Sequence, residues 1–147
     1  MGSPTIRAGD WVRLQQVINT LWSRTTPEGT SGFVGRDAGA IDVTGTTISG
    51  WTNDTWTEVN LSGVLPKGTK AVLLRVAVAS ATVGNQIACR THGYTGSYVP
   101  SITAQAANVL NRTEMIVPTN GLQSIDIKRI GTIDSANSNI TVLGWWT

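Results

Sequence analysis

The sequence contains one cysteine, one histidine and one phenylalanine, and only 14% of its 147 residues are charged. Each scarcity removes a class of protein. A lone Cys89 excludes an intrachain disulfide. Cys89-Arg90-Thr91-His92 has a ligand-like spacing, but a structural zinc site needs four ligands, nearly always Cys or His, and no metal is expected. A Ser-His-Asp arrangement would have to use His92, which sits in the Gly-rich run Thr91-His92-Gly93-Tyr94-Thr95-Gly96. No Gly-x-Ser-x-Gly elbow and no phosphate-binding glycine loop is present. Charge is well below the usual ~25%, and the 11 basic residues are scattered along the chain for a net +2. Nucleic-acid binders concentrate their basic residues in a patch or stripe, so nucleic acid is not an expected partner. No apolar run reaches 18 residues, so no membrane span is expected. No signal-peptide pattern is read, which makes secretion unexpected and the sequons at Asn53, Asn60, Asn111 and Asn139 coincidental in a Thr-rich chain.

What remains is a surface rich in Thr, Ser, Asn and Gly on a chain whose apolar fraction, 40%, is ordinary. Three parts are legible. Residues 1–24 read as a helical arm: Asp10 is placed to cap free backbone N–H groups. Trp11, Leu14, Val17, Ile18, Leu21 and Trp22 follow at spacings of three and four, which puts them on one stripe. Arg13, Gln15, Gln16, Asn19 and Thr20 fill the other side, and Pro27 ends the helix by Thr26. The stripe must be covered by the chain's own β domain, by sister copies or by a larger partner, and it is the expected assembly interface.

Residues 25–39 read as a linker of turn formers, with Phe33 and Val34 a short contact point within it. Residues 40–147 read as an antiparallel β-sandwich, so the fold class is mainly β, preceded by a short N-terminal amphipathic helix. Strands are predicted at Ile41–Val43, Thr46–Ser49, Thr55–Leu61, Lys70–Ser80, Asn85–Thr91, Ser101–Ala106, Arg112–Pro118, Ser124–Ile130 and Asn139–Trp146. The alternation is cleanest where Val72, Leu74, Val76 and Val78 oppose Arg75. It is equally clear where Ile125 and Ile127 oppose Ser124, Asp126 and Lys128, and where Ile140 and Val142 oppose Thr141 and Leu143. Pro66-Lys67-Gly68 and Asn120-Gly121 read as turns.

Candidate chemistry is thin. The nine carboxylates are dispersed; Asp10 reads as a cap, Asp126 as an outward strand residue, and only Asp42, Asp54 and Glu58 are placed to approach one another across a hairpin. Asp134, Asn137 and Asn139 offer loop oxygens without EF-hand spacing. No catalytic set, no metal and no cofactor are expected. The six tryptophans are the unusual feature. Trp51 and Trp56 flank a turn, and Tyr94 and Tyr98 lie in a Gly/Ser-rich loop; together they form the candidate ligand or partner surface, since Trp and Tyr serve both cores and contact platforms. Trp145 and Trp146 point to opposite faces, one to the core and one to an edge.

The run Gly9-Asp10-Trp11-Val12-Arg13-Leu14-Gln15-Gln16-Val17-Ile18-Asn19, with Lys70-Ala71-Val72-Leu73-Leu74-Arg75-Val76 and Ile140-Thr141-Val142-Leu143-Gly144-Trp145-Trp146, resembles small virion appendage proteins of tailed bacteriophages. That class includes tail-fibre, head-fibre, collar and capsid decoration proteins with jelly-roll heads. The resemblance covers most of the chain and carries no diagnostic motif. It implies a homotrimer or another symmetric assembly in the virion, attached through the N-terminal part, with the β head decorating the capsid or meeting a host surface. The competing expectation, from Trp51, Trp56, Tyr94 and Tyr98, is a carbohydrate-binding sandwich.

Overall fold

The computed structural model describes residues 32–37 and 40–147, and Arg13 before them. The expected helix stripe of Trp11, Leu14, Val17, Ile18, Leu21 and Trp22 lies outside the described residues. The β unit begins at Phe33. It contains β1 (Phe33–Gly35), β2 (Val43–Thr44), the short helix α1 (Gly45–Ser49), β3 (Thr57–Asn60), β4 (Ala71–Val78) and β5 (Gln86–Thr91). β6 (Ser101–Thr103), β7 (Asn111–Pro118), β8 (Ser124–Ile130) and β9 (Asn139–Trp146) complete it.

Two antiparallel sheets result. Sheet A runs β1-β9-β4-β7, with β2 also pairing β9; sheet B runs β3-β8-β5-β6. The pairings are nested: β2 with β9, β3 with β8, β4 with β7 and β5 with β6. This is one long antiparallel ribbon, folded over so that β4 also meets β9 and β5 also meets β8. The fold turns the apolar side of each strand toward one core. From sheet A come Val72, Leu74, Val76, Val78, Met115, Val117, Ile140 and Val142, and from sheet B Ile87, Cys89, Ile102, Ile125 and Ile127. Each fully buried Ile, Leu or Val stabilises the fold by about 1.5–3 kcal/mol.

The later strands agree with the period-two reading. Arg75 is exposed between buried Leu74 and Val76, and Asn120 and Gly121 take the left-handed φ values, 52° and 80°, that an Asn-Gly turn favours. Phe33 and Val34, inside the segment read as a linker, pair with Trp146 and Trp145 as strand β1.

One strand expectation is corrected. Thr46–Ser49 is not a strand but most of helix α1, started by Thr44, whose hydroxyl accepts a hydrogen bond from the Thr47 amide at 3.2 Å. Ile48 fills the core from it, wholly buried. Thr-rich composition favours strands only where a pleated surface awaits it; here the cap and a core contact one helical turn on decide otherwise.

The end of β9 departs from strict alternation. Leu73 pairs with Gly144 and the next residue, Leu74, pairs with Val142, so Leu143 is extra in β9. That bulge shifts the parity of everything after it. Trp145 stands opposite the buried Val72 and packs against the core, while Trp146 meets Phe33 with ring centroids 4.8 Å apart.

Candidate functional site

The richest polar arrangement lies on the outer face of sheet B, and strand register builds it. Glu58 on β3 and Arg90 on β5 both stand opposite Asp126 on β8, so three charged side chains share one row. Asp126 faces outward, as alternation from Ile125 and Ile127 requires, but it is not solvated. Only 5% of it is exposed. It accepts hydrogen bonds from Arg90 Nε at 3.0 Å and the Gly93 amide at 3.2 Å, and its Oδ1 lies 2.7 Å from His92 Nδ1. The other ring nitrogen of His92 lies 3.8 Å from a Glu58 oxygen.

Trp56, just before β3, lies under this row. The Arg90 guanidinium sits 4.1 Å from its ring centroid and the Lys128 ammonium 5.1 Å from it. Cations are drawn to the electron-rich ring face, most strongly for Trp. Lys128 also contacts Asp54 at 2.7 Å, which ties the turn before Trp56 to β8. The residues expected to act with Trp56 are thus only part of the site. Arg90, His92, Asp126 and Lys128 complete it, and their one sequence-level signal was the outward parity of Asp126 and Lys128.

The electrostatics follow from geometry. Burial alone would raise the Asp126 carboxyl, but hydrogen bonds from His92, Gly93 and Arg90, and the charge of His92, outweigh it and hold it below its ordinary value. The hydrogen bond to Asp126 raises the His92 imidazole above its ordinary value; burial opposes this, Glu58 and Asp126 add to it by charge, and Arg90 subtracts. With a carboxylate at each ring nitrogen, the imidazolium form is favoured. The arrangement fastens the start of the Tyr94–Tyr98 loop to β8.

Directly after His92 comes the loop carrying Tyr94 and Tyr98. Both line a cleft of about 280 Å³ together with Arg90, Val99, Pro100 and Pro118. Tyr98 is 96% exposed. Trp51 plays a different part from Trp56: it packs against the core, and its carbonyl accepts from Arg129 Nε at 2.9 Å.

The remaining candidates are dispersed. Asp42, Asp54 and Glu58 do not converge: Asp42 pairs with Arg36, Asp54 with Lys128 and Glu58 with His92. Cys89 points into the core while His92 is bonded on the outer face, so the Cys-x-x-His spacing gathers no common ligand. Burial pushes the Cys89 thiol up to about 12, which leaves no thiolate near neutrality. Asp134 closes its own turn, accepting from the Ala136 amide and from Asn137 Nδ2. Among the described residues, no three His, Cys, Asp or Glu side chains are grouped so as to hold a metal ion. Neither a protein-family model nor a curated protein matches the chain.

Proposed function

We propose that the chain is a non-enzymatic virion structural protein of the tailed-bacteriophage appendage kind, a fibre, collar or capsid decoration component. In this reading residues 1–24 form an amphipathic helix that assembles copies, in threes, or joins them to other virion proteins. The β unit is a jelly-roll head, and the protein is made in the host cytoplasm and resides in the virion. The observation that carries the reading is the strand order, β2-β9-β4-β7 against β3-β8-β5-β6. Setting aside β1, which adds a fifth strand to sheet A, a long ribbon rolled into two four-stranded sheets of this kind is the jelly-roll pattern, which serves viral capsids and lectins.

Light scattering on the full chain, with and without residues 1–24, tests the assembly. A defined oligomer that loses subunits on removing the arm is expected. A strict monomer, unchanged by the deletion, would overturn self-assembly through the arm.

A carbohydrate-binding head is the second reading, supported by the Tyr94–Tyr98 cleft beside the Trp56 cluster. Tyrosine rings present flat apolar faces with a polar tip, which suits sugars. A glycan array on the wild type and on Tyr98→Ala tests it: binding that is absent, or indifferent to the substitution, would sink the idea.

A further inference from the structure

Sheets end in edge strands, whose outer N–H and C=O groups are unpaired and able to pair with another chain. Folded proteins blunt such edges, commonly by keeping them short. Here β1 has three residues, β2 two, β3 four and β6 three. β7 is the exception, an edge strand of eight residues that, among the described residues, pairs with β4 alone. Among the described residues, no backbone hydrogen bond outside the β4 ladder reaches residues 112–118. Nor does β6 seal that side, since open clefts border both ends of β7, one at Asn111–Thr113 and the other at Val117–Pro118.

We propose that the free edge of β7 pairs antiparallel with β7 of a second copy of this chain, in a twofold contact centred on Thr113. The occupant is identified by self-complementarity. With Thr113 opposite Thr113, the register sets Arg112 against Glu114 of the other copy, and Glu114 against its Arg112. One step further along the same face, Leu110 meets Ile116 in both directions. The outward residues of β7, Arg112, Glu114 and Ile116, are all exposed, Ile116 by 55% and the adjoining Leu110 by 36%. Opposite charges and apolar pairs directly across an antiparallel ladder stabilise it, and like charges there destabilise it. The twofold axis makes each favourable pair occur twice. The proposed contact draws on residues 110–116.

The test uses the full chain and three variants, each checked for native circular dichroism. Arg112→Glu places glutamates opposite Glu114 and Glu114→Arg places arginines opposite Arg112, so each variant is expected to self-associate about tenfold more weakly. Mixed in equal amounts, the two should pair with each other, since one strand then carries two acids and the other two bases. Thr113→Cys should form a symmetric intermolecular disulfide, because residues directly opposite lie about 4.5–5.5 Å apart between Cα atoms. A twofold association, beyond any that is lost on removing residues 1–24, that is absent or that survives both charge variants would overturn the proposal. So would two charge variants that fail to pair with each other, or a Thr113→Cys chain that stays uncrosslinked under oxidation.

Discussion

His92 Nδ1 lies 2.7 Å from Asp126 Oδ1, a contact across 34 residues of sequence that fastens the start of the Tyr94–Tyr98 loop to the middle of sheet B. Arg90 and the Gly93 amide bind the other oxygen of the same carboxylate, so one buried acid holds three residues of the stretch 90–93.

Stability should depend on pH through this pair, with opposite signs for its members. The His92 value is raised on folding, so its contribution is complete below the ordinary histidine value of about 6.5 and is lost as pH rises through the folded value. The Asp126 value is lowered, so its contribution is present above about 3.9 and is lost as pH falls through the folded value. Thermal unfolding of wild type and His92→Gln from about pH 3 to 9 measures this. The wild type should lose its advantage over the variant on the alkaline side; a constant difference would remove the charge from the account.

Asp42 should be worth more than a surface carboxylate. Both of its oxygens lie within 2.8 Å of Arg36 Nη1, and one also accepts the Val142 amide at 2.7 Å, with only 6% of the side chain exposed. It joins the stretch after β1 to β9. Asp42→Ala is expected to cost about 2 kcal/mol in chemical denaturation, since it leaves a backbone donor and a guanidinium without their acceptor. A loss below about 0.5 kcal/mol would place it with ordinary exposed pairs.

Gly45 opens α1 against the chain around Ser135–Ser138. A Cβ there would collide with the Ser135 and Ser138 carbonyl oxygens, which are backbone atoms unable to swing aside. Gly45→Ala should destabilise the fold by about 1–3 kcal/mol, read as a lower denaturation midpoint with an unchanged slope. Gly63→Ala, where a Cβ meets nothing within 4 Å, is the control and should be near neutral.

Cys89 should be inert in the native state. Its thiol is buried and its pKa pushed up to about 12, and only the thiolate is a nucleophile. A thiol reagent at mildly alkaline pH should label the protein only after denaturant is added. Rapid native labelling would mean that β5 opens readily.

The strands themselves were legible because their signal is local. In β4 the alternation of Val72, Leu74, Val76 and Val78 with Arg75 is visible within eight residues, and the structure buries that face. Helix α1 was not legible: Thr46 and Thr47 suit a strand, and the Thr44 cap becomes decisive only when Ile48 has a core to enter. The site was half legible. Trp56 stood out by composition, but the row Glu58, Asp126 and Arg90 joins residues 32 to 68 positions apart, and register alone brings them together.

The sequence by itself determined that the chain is mainly β and which face of each long strand is apolar, because side-chain parity is a property of consecutive residues. Tertiary structure decided the register and its interruptions. The extra residue at Leu143 turned Trp145 to the core and Trp146 outward to Phe33. A bulge arises from what the neighbouring strand requires, and no pattern within β9 announces it.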